Sequence, residues 1–186
     1  MKSLKGHLLI AAPDLFDPNF HQTVTLVLEH NSDGAAGVVL NRPSSRTIQE
    51  ISREVFEEES DWDVPIHIGG PVPGPLHAIH TVEELADLTI FPGLHDTVDP
   101  FKLHELVRRK AEPVLFVANL AGWGPGQLES EIEQDSWRII PARPDHLFRD
   151  WGQERCLWRA SLAEQSDLVL KSTIQPRSWP VDPRAN

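Results

Sequence analysis

The segment Gln22–Leu40 constrains the fold most, because its pattern specifies an antiparallel hairpin. Apolar and polar side chains alternate through Gln22–Glu29, which gives a strand with one fully apolar face. The Asp33-Gly34 pair that follows is a strong signal for a tight turn. Ala36–Leu40 then returns as the second strand. A chain containing this hairpin has antiparallel pairing and is not expected to form a doubly wound parallel sheet.

Helices and further strands follow without regular alternation. Thr47 and Glu50 have the spacing of a capping box that starts one helix, and Asp99-Pro100 starts another. The other predicted strands are Gly6–Ala12, Val64–Ile68, Leu76–His80, Pro113–Leu120 and Trp137–Ile140, and the other predicted helices lie near Leu128–Gln134, Asp145–Phe148 and Gly152–Leu162. Residues 83–95 give no clear pattern. This order predicts an α+β fold.

The length of 186 residues fits one domain, predicted over residues 1–170. The extension 171–186 contains three prolines and is predicted to lack regular structure, with its end mobile in an isolated monomer. Apolar runs are no longer than a strand, so no membrane helix is expected. The lone Cys156 excludes an internal disulfide and a multi-thiolate metal site, which fits the reducing cytoplasm.

The chain is acidic, with 28 Asp and Glu against 17 Lys and Arg and a net charge of −11. Binding to a nucleic-acid backbone depends on Lys and Arg, so direct DNA binding is expected to be weak or absent. Carboxylates also cluster between Glu50 and Asp63. This cluster is interpreted as a solvated helix face, and a surface for a basic partner is the alternative.

Three motifs occur together in this sequence. The first runs from Gly6 to Val24 as Gly-x-Leu-Leu-Ile-Ala-x-Pro-x-Leu-x-Asp-Pro-Asn-Phe-x-x-Thr-Val and continues with Glu29-His30-Asn31 and Gly37-x-Val-Leu-Asn-Arg-Pro43. The second is Gly69-Gly70-Pro71-Val72 with Leu76-His77. The third is Ala121-Gly-Trp-Gly-Pro-Gly-Gln-Leu-Glu-x-Glu-Ile132 with Trp137. Together they cover roughly residues 5–165, and the chain resembles the YqgE/AlgH family of bacterial proteins.

The resemblance implies a branched, mostly antiparallel sheet that curls into a partial (pseudo) barrel with flanking helices. It also implies a cytosolic bacterial protein, and it implies no particular reaction. One branch of the family carries the label of a transcriptional regulator. Leu120 and Ile68 depart from the family pattern, which often has aromatic residues there, and the chain contains no Tyr.

Two glycine-rich segments are the candidate site. Gly122–Gln127 could present backbone donors and a helix N-terminus to an anion or a carbonyl oxygen, or it could be only a turn between a strand and a helix. Gly69–Pro75 could form a ligand rim together with it, or only a rigid connection. Both segments are predicted to lie on one side of the molecule, near the turns at Asp14–His21 and Asn41-Arg42.

The residues of this candidate ligand or partner surface are Asp17, Asn19, His21, Asn41, Arg42, Gly69, Gly70, Pro71, Trp123, Gly124, Gly126, Gln127 and Glu129. Arg42 would supply the nearby positive charge, which favours a small anionic ligand or an acidic partner segment. Trp123 would form a wall of the site. Asp14, Asp17 and His21 could form an acid/base cluster, or they could cap turns as such residues often do.

Chemical motifs beyond these are weak. The nine histidines include no pair with ligand spacing on a shared face, so neither a metal nor another cofactor is predicted. No Gly-x-Ser-x-Gly motif occurs, and Cys156 is interpreted as a buried, inert thiol. The favoured hypothesis is a non-enzymatic regulatory or interaction protein. The alternatives are a small-molecule- or anion-binding protein or enzyme with its pocket between the two loops, and a DNA-binding regulator.

Overall fold

The computed structural model describes residues 2–150 and 154–173. Within those ranges there are ten strands and five α-helices. The strands are β1 His7–Ala11, β2 Val24–Asn31, β3 Gly34–Val39, β4 Pro43–Thr47, β5 Pro65–Ile68, β6 Val72–His80, β7 Leu88–Phe91, β8 Leu94–Thr97, β9 Val114–Trp123 and β10 Trp137–Pro141. The helices are α1 Ile48–Phe56, α2 Pro100–Arg109, α3 Gln127–Glu133, α4 Pro144–Phe148 and α5 Glu154–Thr173, and a 3-10 turn spans Glu83–Leu85.

All ten strands belong to one open sheet that branches at β9. The main order is β10-β1-β2-β3-β9-β6-β8-β7, and β4 and β5 lie off this path. The β5–β9 pair is parallel, and the other pairs are antiparallel. The N-terminal half of β9 pairs with β5, its C-terminal residues pair with β3, and β6 pairs along it. The α+β prediction of a branched, mostly antiparallel sheet with flanking helices is therefore confirmed.

Three apolar clusters pack against the faces of this sheet. The largest lies under α4 and α5 and includes Ile10, Leu26 and Val117. A second is covered by α1 and α2, and a third by α3 and the irregular segment 12–22. The first half of β9 therefore lies in the interior, with Phe116 and Val117 buried, whereas Gly122 near its end is exposed.

The predicted helix starts are confirmed in detail. Thr47 N–H donates to Glu50 Oε2 at 3.0 Å, and Glu50 N–H donates to Thr47 Oγ1 at 3.4 Å. Asp99 Oδ1 accepts from the N–H groups of Phe101 and Lys102 at 3.0 and 3.1 Å. Both caps satisfy donors that the first helical turn leaves without a partner.

The predicted boundaries differ from the structure in four places. Val72–Pro75 belongs to β6 instead of a turn, and Gly122 and Trp123 end β9 instead of starting a loop. Pro73 and Pro75 are tolerated because this part of β6 has a paired strand, β9, on one side only, so no N–H is needed on the other side. The Gly74 N–H donates to the Asn119 side chain at 3.3 Å. The unassigned residues 83–95 form the 3-10 turn, β7 and the start of β8, and β4 was not predicted.

The C-terminal helix is also longer than predicted. It extends to Thr173 and so includes the first residues of the predicted extension, while the remainder of that extension lies outside the described residues. Cys156 on this helix is half-buried and not fully buried as expected. Across residues 2–150 and 154–173, no helix combines the length and the apolar character that crossing a membrane requires.

Candidate functional site

The Gly69-Gly70 pair carries the chain from β5 to β6 directly against the backbone of β9. A Cβ on Gly69 would lie 2.4 Å from the backbone oxygen of Asn119, and a Cβ on Gly70 would lie 2.4 Å from the backbone oxygen of Leu120. Gly70 also has φ of +153°, which L side chains rarely adopt. Close packing therefore explains both glycines, as the rigid-connection alternative supposed.

Gly122 is different, because the fold gives no reason for a glycine there. It is exposed, it lies within β9, and its φ is not positive. A Cβ at this position would meet the side chains of Val72 and Leu120 at 3.8 and 3.9 Å, which is ordinary contact. Glycine weakens a strand interior, and its presence can mark a place where another backbone or a ligand approaches closely.

A shallow surface surrounds this glycine, and we call Ala36, Val72, Leu120 and Gly122 the shelf. Val72 pairs with Leu120 across β6 and β9, and Ala36 pairs with Gly122 across β3 and β9. Directly opposed residues in a sheet point to the same face. Val72 is 41% exposed, whereas Ala36 and Leu120 are half-buried. The exposed residues Pro71, Pro73, Gly74 and Pro75 border the shelf.

A carboxylate lies at the other end of the same row. Glu29 on β2 is opposite Ala36, which is opposite Gly122. Glu29 is exposed and forms no hydrogen bond or ion pair with another residue that the structure describes. Asp33, also exposed, is a second carboxylate near this end of the row. The following residue, Gly34, packs against the backbone carbonyl oxygen of Trp123, which leaves no room for a Cβ. The shelf itself is therefore apolar, and the row that crosses it ends in a carboxylate on β2.

Trp123 packs in the interior and does not form a wall of an open site. It is 5% exposed, and its ring stacks on Phe20 at a centroid distance of 6.0 Å. The indole N–H groups of Trp123 and Trp137 both donate to Glu131 Oε2, at 2.9 and 2.8 Å. Trp123 therefore fits the packing alternative, and Glu131 fixes both indoles.

The side chain of Gln127 is bonded within the Gly124–Gln127 turn and to α3. Gln127 Nε2 donates to Glu131 Oε1 at 2.9 Å, and Gln127 Oε1 accepts from the Gly124 N–H at 3.0 Å. Gly126 precedes α3 with φ of +72°. These contacts are those of a turn between a strand and a helix. The i, i+4 spacing of Gln127 and Glu131 was the one signal in the sequence for the role of Glu131.

Glu129 links α3 to β2 through a buried histidine. His30 Nδ1 accepts from the Leu4 N–H at 3.0 Å, so its Nε2 carries the proton and donates to Glu129 Oε1 at 2.8 Å. The side chain of His30 is almost fully buried. This bond holds the predicted site residue Glu129 in a structural contact.

The turns at 17–21 and 41–42 are likewise held by local contacts. Asp17 Oδ1 accepts from the Asn19 N–H at 2.7 Å, and His21 Nδ1–H donates to the Leu15 oxygen at 2.9 Å. Asn41 Oδ1 accepts from the Val24 N–H at 2.8 Å. These bonds favour the turn-capping alternative over an acid/base cluster.

Arg42 lies at the opposite end of β3 from the shelf. Its guanidinium donates to the His21 oxygen at 3.1 Å, and its carbonyl accepts from the Ile68 N–H at 2.8 Å. The structure thus brings the Gly69–Val72 connection next to Gly122. Arg42 adjoins this connection through its carbonyl bond to Ile68, but its guanidinium is bound by the 17–21 turn. The charge nearest the shelf along its row is therefore Glu29.

Two buried histidines of β6, His77 and His80, form polar contacts on opposite faces of the strand, as their spacing predicts, although the sequence did not indicate their partners. His77 Nδ1 lies 2.9 Å from Asp96 Oδ2, and its buried Nε2 has no hydrogen-bond partner within the described ranges. His80 Nδ1 accepts from the Val82 N–H, and its Nε2 donates to Thr97 Oγ1. Burial, with a smaller contribution from the nearby His95, lowers the pKa of His80 to about 4.

The His, Asp and Glu side chains of the described residues do not form a metal site. No group of three or more His, Cys, Asp or Glu side chains among residues 2–150 and 154–173 is arranged to hold an ion. Two of the crevices formed by the described residues contain no shelf residue. One of about 140 Å³ lies between α1 and α2, and one of about 240 Å³ lies beside Trp62, Val114 and Phe148.

Comparison with known proteins identifies relatives along most of the chain. The model of the AlgH-like family matches residues 8–168. A UPF0301 protein of Chlorobaculum tepidum is 38% identical, with 78% of this chain and 79% of that protein covered. A UPF0301 protein of Streptomyces coelicolor is 30% identical and covers 100% of this chain and 97% of its own length.

Two solved structures have a fold similar to that of this chain. The solution structure of the AlgH protein from Pseudomonas aeruginosa has a TM-score of 0.72 and 30% identity, and it covers 94% of this chain and 95% of its own. The crystal structure of a Corynebacterium diphtheriae protein has the same TM-score of 0.72 at 22% identity, with 88% of each chain covered, and shows a shared fold. The names of these four proteins state no reaction and no ligand.

Proposed function

The chain belongs to the AlgH-like family, and we propose that it acts in the bacterial cytoplasm as a non-enzymatic regulatory or interaction protein. The shelf of Ala36, Val72, Leu120 and Gly122 is its binding surface, and its partner is another protein. The family match over residues 8–168 supplies the fold but no reaction. The proposal therefore depends on the local structure.

The observation that carries the proposal is Gly122. It is an exposed strand glycine that neither the backbone conformation nor the neighbouring atoms require. A partner backbone lying across the strand would require it, because any side chain at that position would hold the two backbones apart. The exposed apolar Val72 and the half-buried Leu120 beside it supply the area that such a partner would cover.

The edge of β6 favours docking on the face over addition of a strand. Pro73 and Pro75 have no N–H, and the Gly74 N–H is already bonded to Asn119. A partner strand would therefore find almost no backbone donors along Val72–Pro75. Side-chain contacts over Leu120 and Gly122 remain as the mode of binding.

Photo-cross-linking tests this proposal. The photoreactive residue p-benzoylphenylalanine replaces Val72 in the full chain, expressed in the native host. The matched control carries it at Phe101, which is 85% exposed on α2, a helix that covers an apolar cluster containing no shelf residue. A discrete adduct with one protein is expected at position 72 and not at position 101.

The same measurement in a Gly122→Phe background separates specific docking from chance contact. The bulky side chain covers the shelf without entering the core, because Gly122 is exposed. Loss of the adduct in this background is expected. Equal adducts at positions 72 and 101, or an adduct unaffected by Gly122→Phe, would overturn the proposal.

A further inference from the structure

The chemistry of the shelf also specifies what its partner carries, and this step rests on the proposed function. We infer that the shelf binds an extended protein segment in which an apolar side chain and a Lys or Arg lie three or four residues apart. The apolar side chain covers Val72 and Leu120, the backbone crosses Ala36 and Gly122, and the cation pairs with Glu29.

The spacing follows from the register of the strands. Glu29, Ala36 and Gly122 lie on the adjacent strands β2, β3 and β9, and Val72 lies on the next strand, β6. Strands are spaced about 4.8 Å apart, so Glu29 is about 10 Å from Gly122. Val72 pairs with Leu120, two residues along β9 from Gly122, but its Cγ2 lies 3.8 Å from the Cβ position of Gly122, so this methyl group is about 14 Å from Glu29 across the sheet. An extended chain advances about 3.3 Å per residue, so these distances correspond to three or four residues.

The extended conformation follows from the centre of the shelf. Ala36 and Gly122 project at most one methyl group above the sheet, which leaves room for a backbone but provides no pocket for a bulky side chain. A segment crossing there would keep its large side chains at the two ends. Those ends meet the aliphatic pair Val72 and Leu120 and the carboxylate of Glu29.

The positive charge follows from the unpaired carboxylates. Glu29 and Asp33 are exposed and form no ion pair with any residue in the described ranges. A chain with a net charge of −11 attracts cationic segments at long range and repels acidic ones. The sequence-based hypothesis of an anionic guest depended on Arg42, which lies instead at the far end of β3 and bonds to His21.

Selection of short random peptides displayed on phage tests the inference directly. The full chain is the target, and the Gly122→Phe variant removes peptides that bind elsewhere. The enriched peptides are expected to share an apolar residue three or four positions from a Lys or Arg. A synthetic peptide of this type should bind Glu29→Gln at least about fivefold more weakly, with the difference reduced at high salt.

Glu83→Gln is the matched control, because Glu83 is also exposed but lies on the 3-10 turn. It should change the Kd by less than about twofold. If the selected peptides depend on Gly122 but lack a basic residue or bind Glu29→Gln normally, the inference fails and the proposed function stands. If no peptide shows dependence on Gly122, the proposed function fails, and the inference fails with it.

Discussion

Gly70 and Gly122 lie on neighbouring segments, and they illustrate two separate reasons for a glycine. Gly70 is required by its φ of +153° and by the Leu120 oxygen, which would lie 2.4 Å from a Cβ. Gly122 has neither constraint. The two residues are indistinguishable as letters in a glycine-rich motif, because the relevant contacts come from strands distant in sequence.

Alanine substitution separates these two cases. Gly70→Ala is expected to lower the free energy of unfolding by about 2–4 kcal/mol, through strain and steric conflict. Gly122→Ala is expected to leave it unchanged or to raise it by up to about 1 kcal/mol, because alanine restricts the unfolded chain more than glycine. Urea unfolding measures both, and a large loss in Gly122→Ala would show that the fold itself needs this glycine.

His80 makes stability depend on pH. Its pKa is lowered to about 4 from 6.5, chiefly by burial. The unfolded state therefore takes up the proton first as pH falls, so the contribution of neutral His80 is complete above about pH 6.5 and is lost as pH falls towards 4. Between pH 7 and 5 the loss is about 2 kcal/mol.

Unfolding of His80→Gln at the same two pH values tests this assignment. The variant is expected to lose about 2 kcal/mol less than the wild-type chain on acidification, whatever its stability at pH 7. An identical pH dependence in both proteins would assign the acid sensitivity to other groups.

At the scale of elements, Glu131 joins α3 to two strands. Its carboxylate accepts from the indoles of Trp123 on β9 and Trp137 on β10 and from Gln127. Glu131→Ala leaves two largely buried N–H groups without an acceptor, and we expect a loss of about 2–4 kcal/mol in the free energy of unfolding.

Glu133→Ala on the exposed side of α3 is the control for helix propensity and charge, and it should change stability by no more than about 0.5 kcal/mol. The free energy of unfolding of Glu131→Gln should lie between those of Glu131→Ala and Glu133→Ala, because glutamine keeps one acceptor oxygen. Equal stability of Glu131→Ala and Glu133→Ala in chemical denaturation would show that the two indoles do not depend on this carboxylate.

At the scale of the whole molecule, β9 connects the two parts of the sheet. Its N-terminal half pairs with β5 and its C-terminal end with β3, while β6 pairs along it. Neither part keeps a complete core without β9, so we expect one cooperative unfolding transition. Hydrogen exchange followed peptide by peptide should give coincident denaturant midpoints for β2–β3 and for β6–β8, whereas two separate midpoints would show independent halves.

The overall charge sets a second expectation at this scale. With a net charge of −11, the chain should not bind duplex DNA with sub-micromolar affinity at physiological salt. Fluorescence anisotropy with labelled duplexes across a salt series measures this. Tight binding that weakens steeply with salt would restore the DNA-binding hypothesis.

Features with local causes can be predicted from the amino-acid sequence. The Gln22–Leu40 hairpin, the Thr47–Glu50 capping box and the Asp99 cap appear in the structure because each depends on residues close together in the chain. The three motifs also identified the family, since they span most of the domain in order.

Which of the predicted site residues share a surface depends on how the strands pair. Trp123 and Gln127 both bond to Glu131, and Arg42 bonds to the His21 carbonyl. Gly122 lies beside the Val72 side chain. It also pairs with Ala36, which in turn pairs with Glu29. Register across β2, β3, β9 and β6 creates that arrangement. The physical reason is that strand pairing joins residues far apart in sequence, and a shift of one residue would turn every side chain to the opposite face.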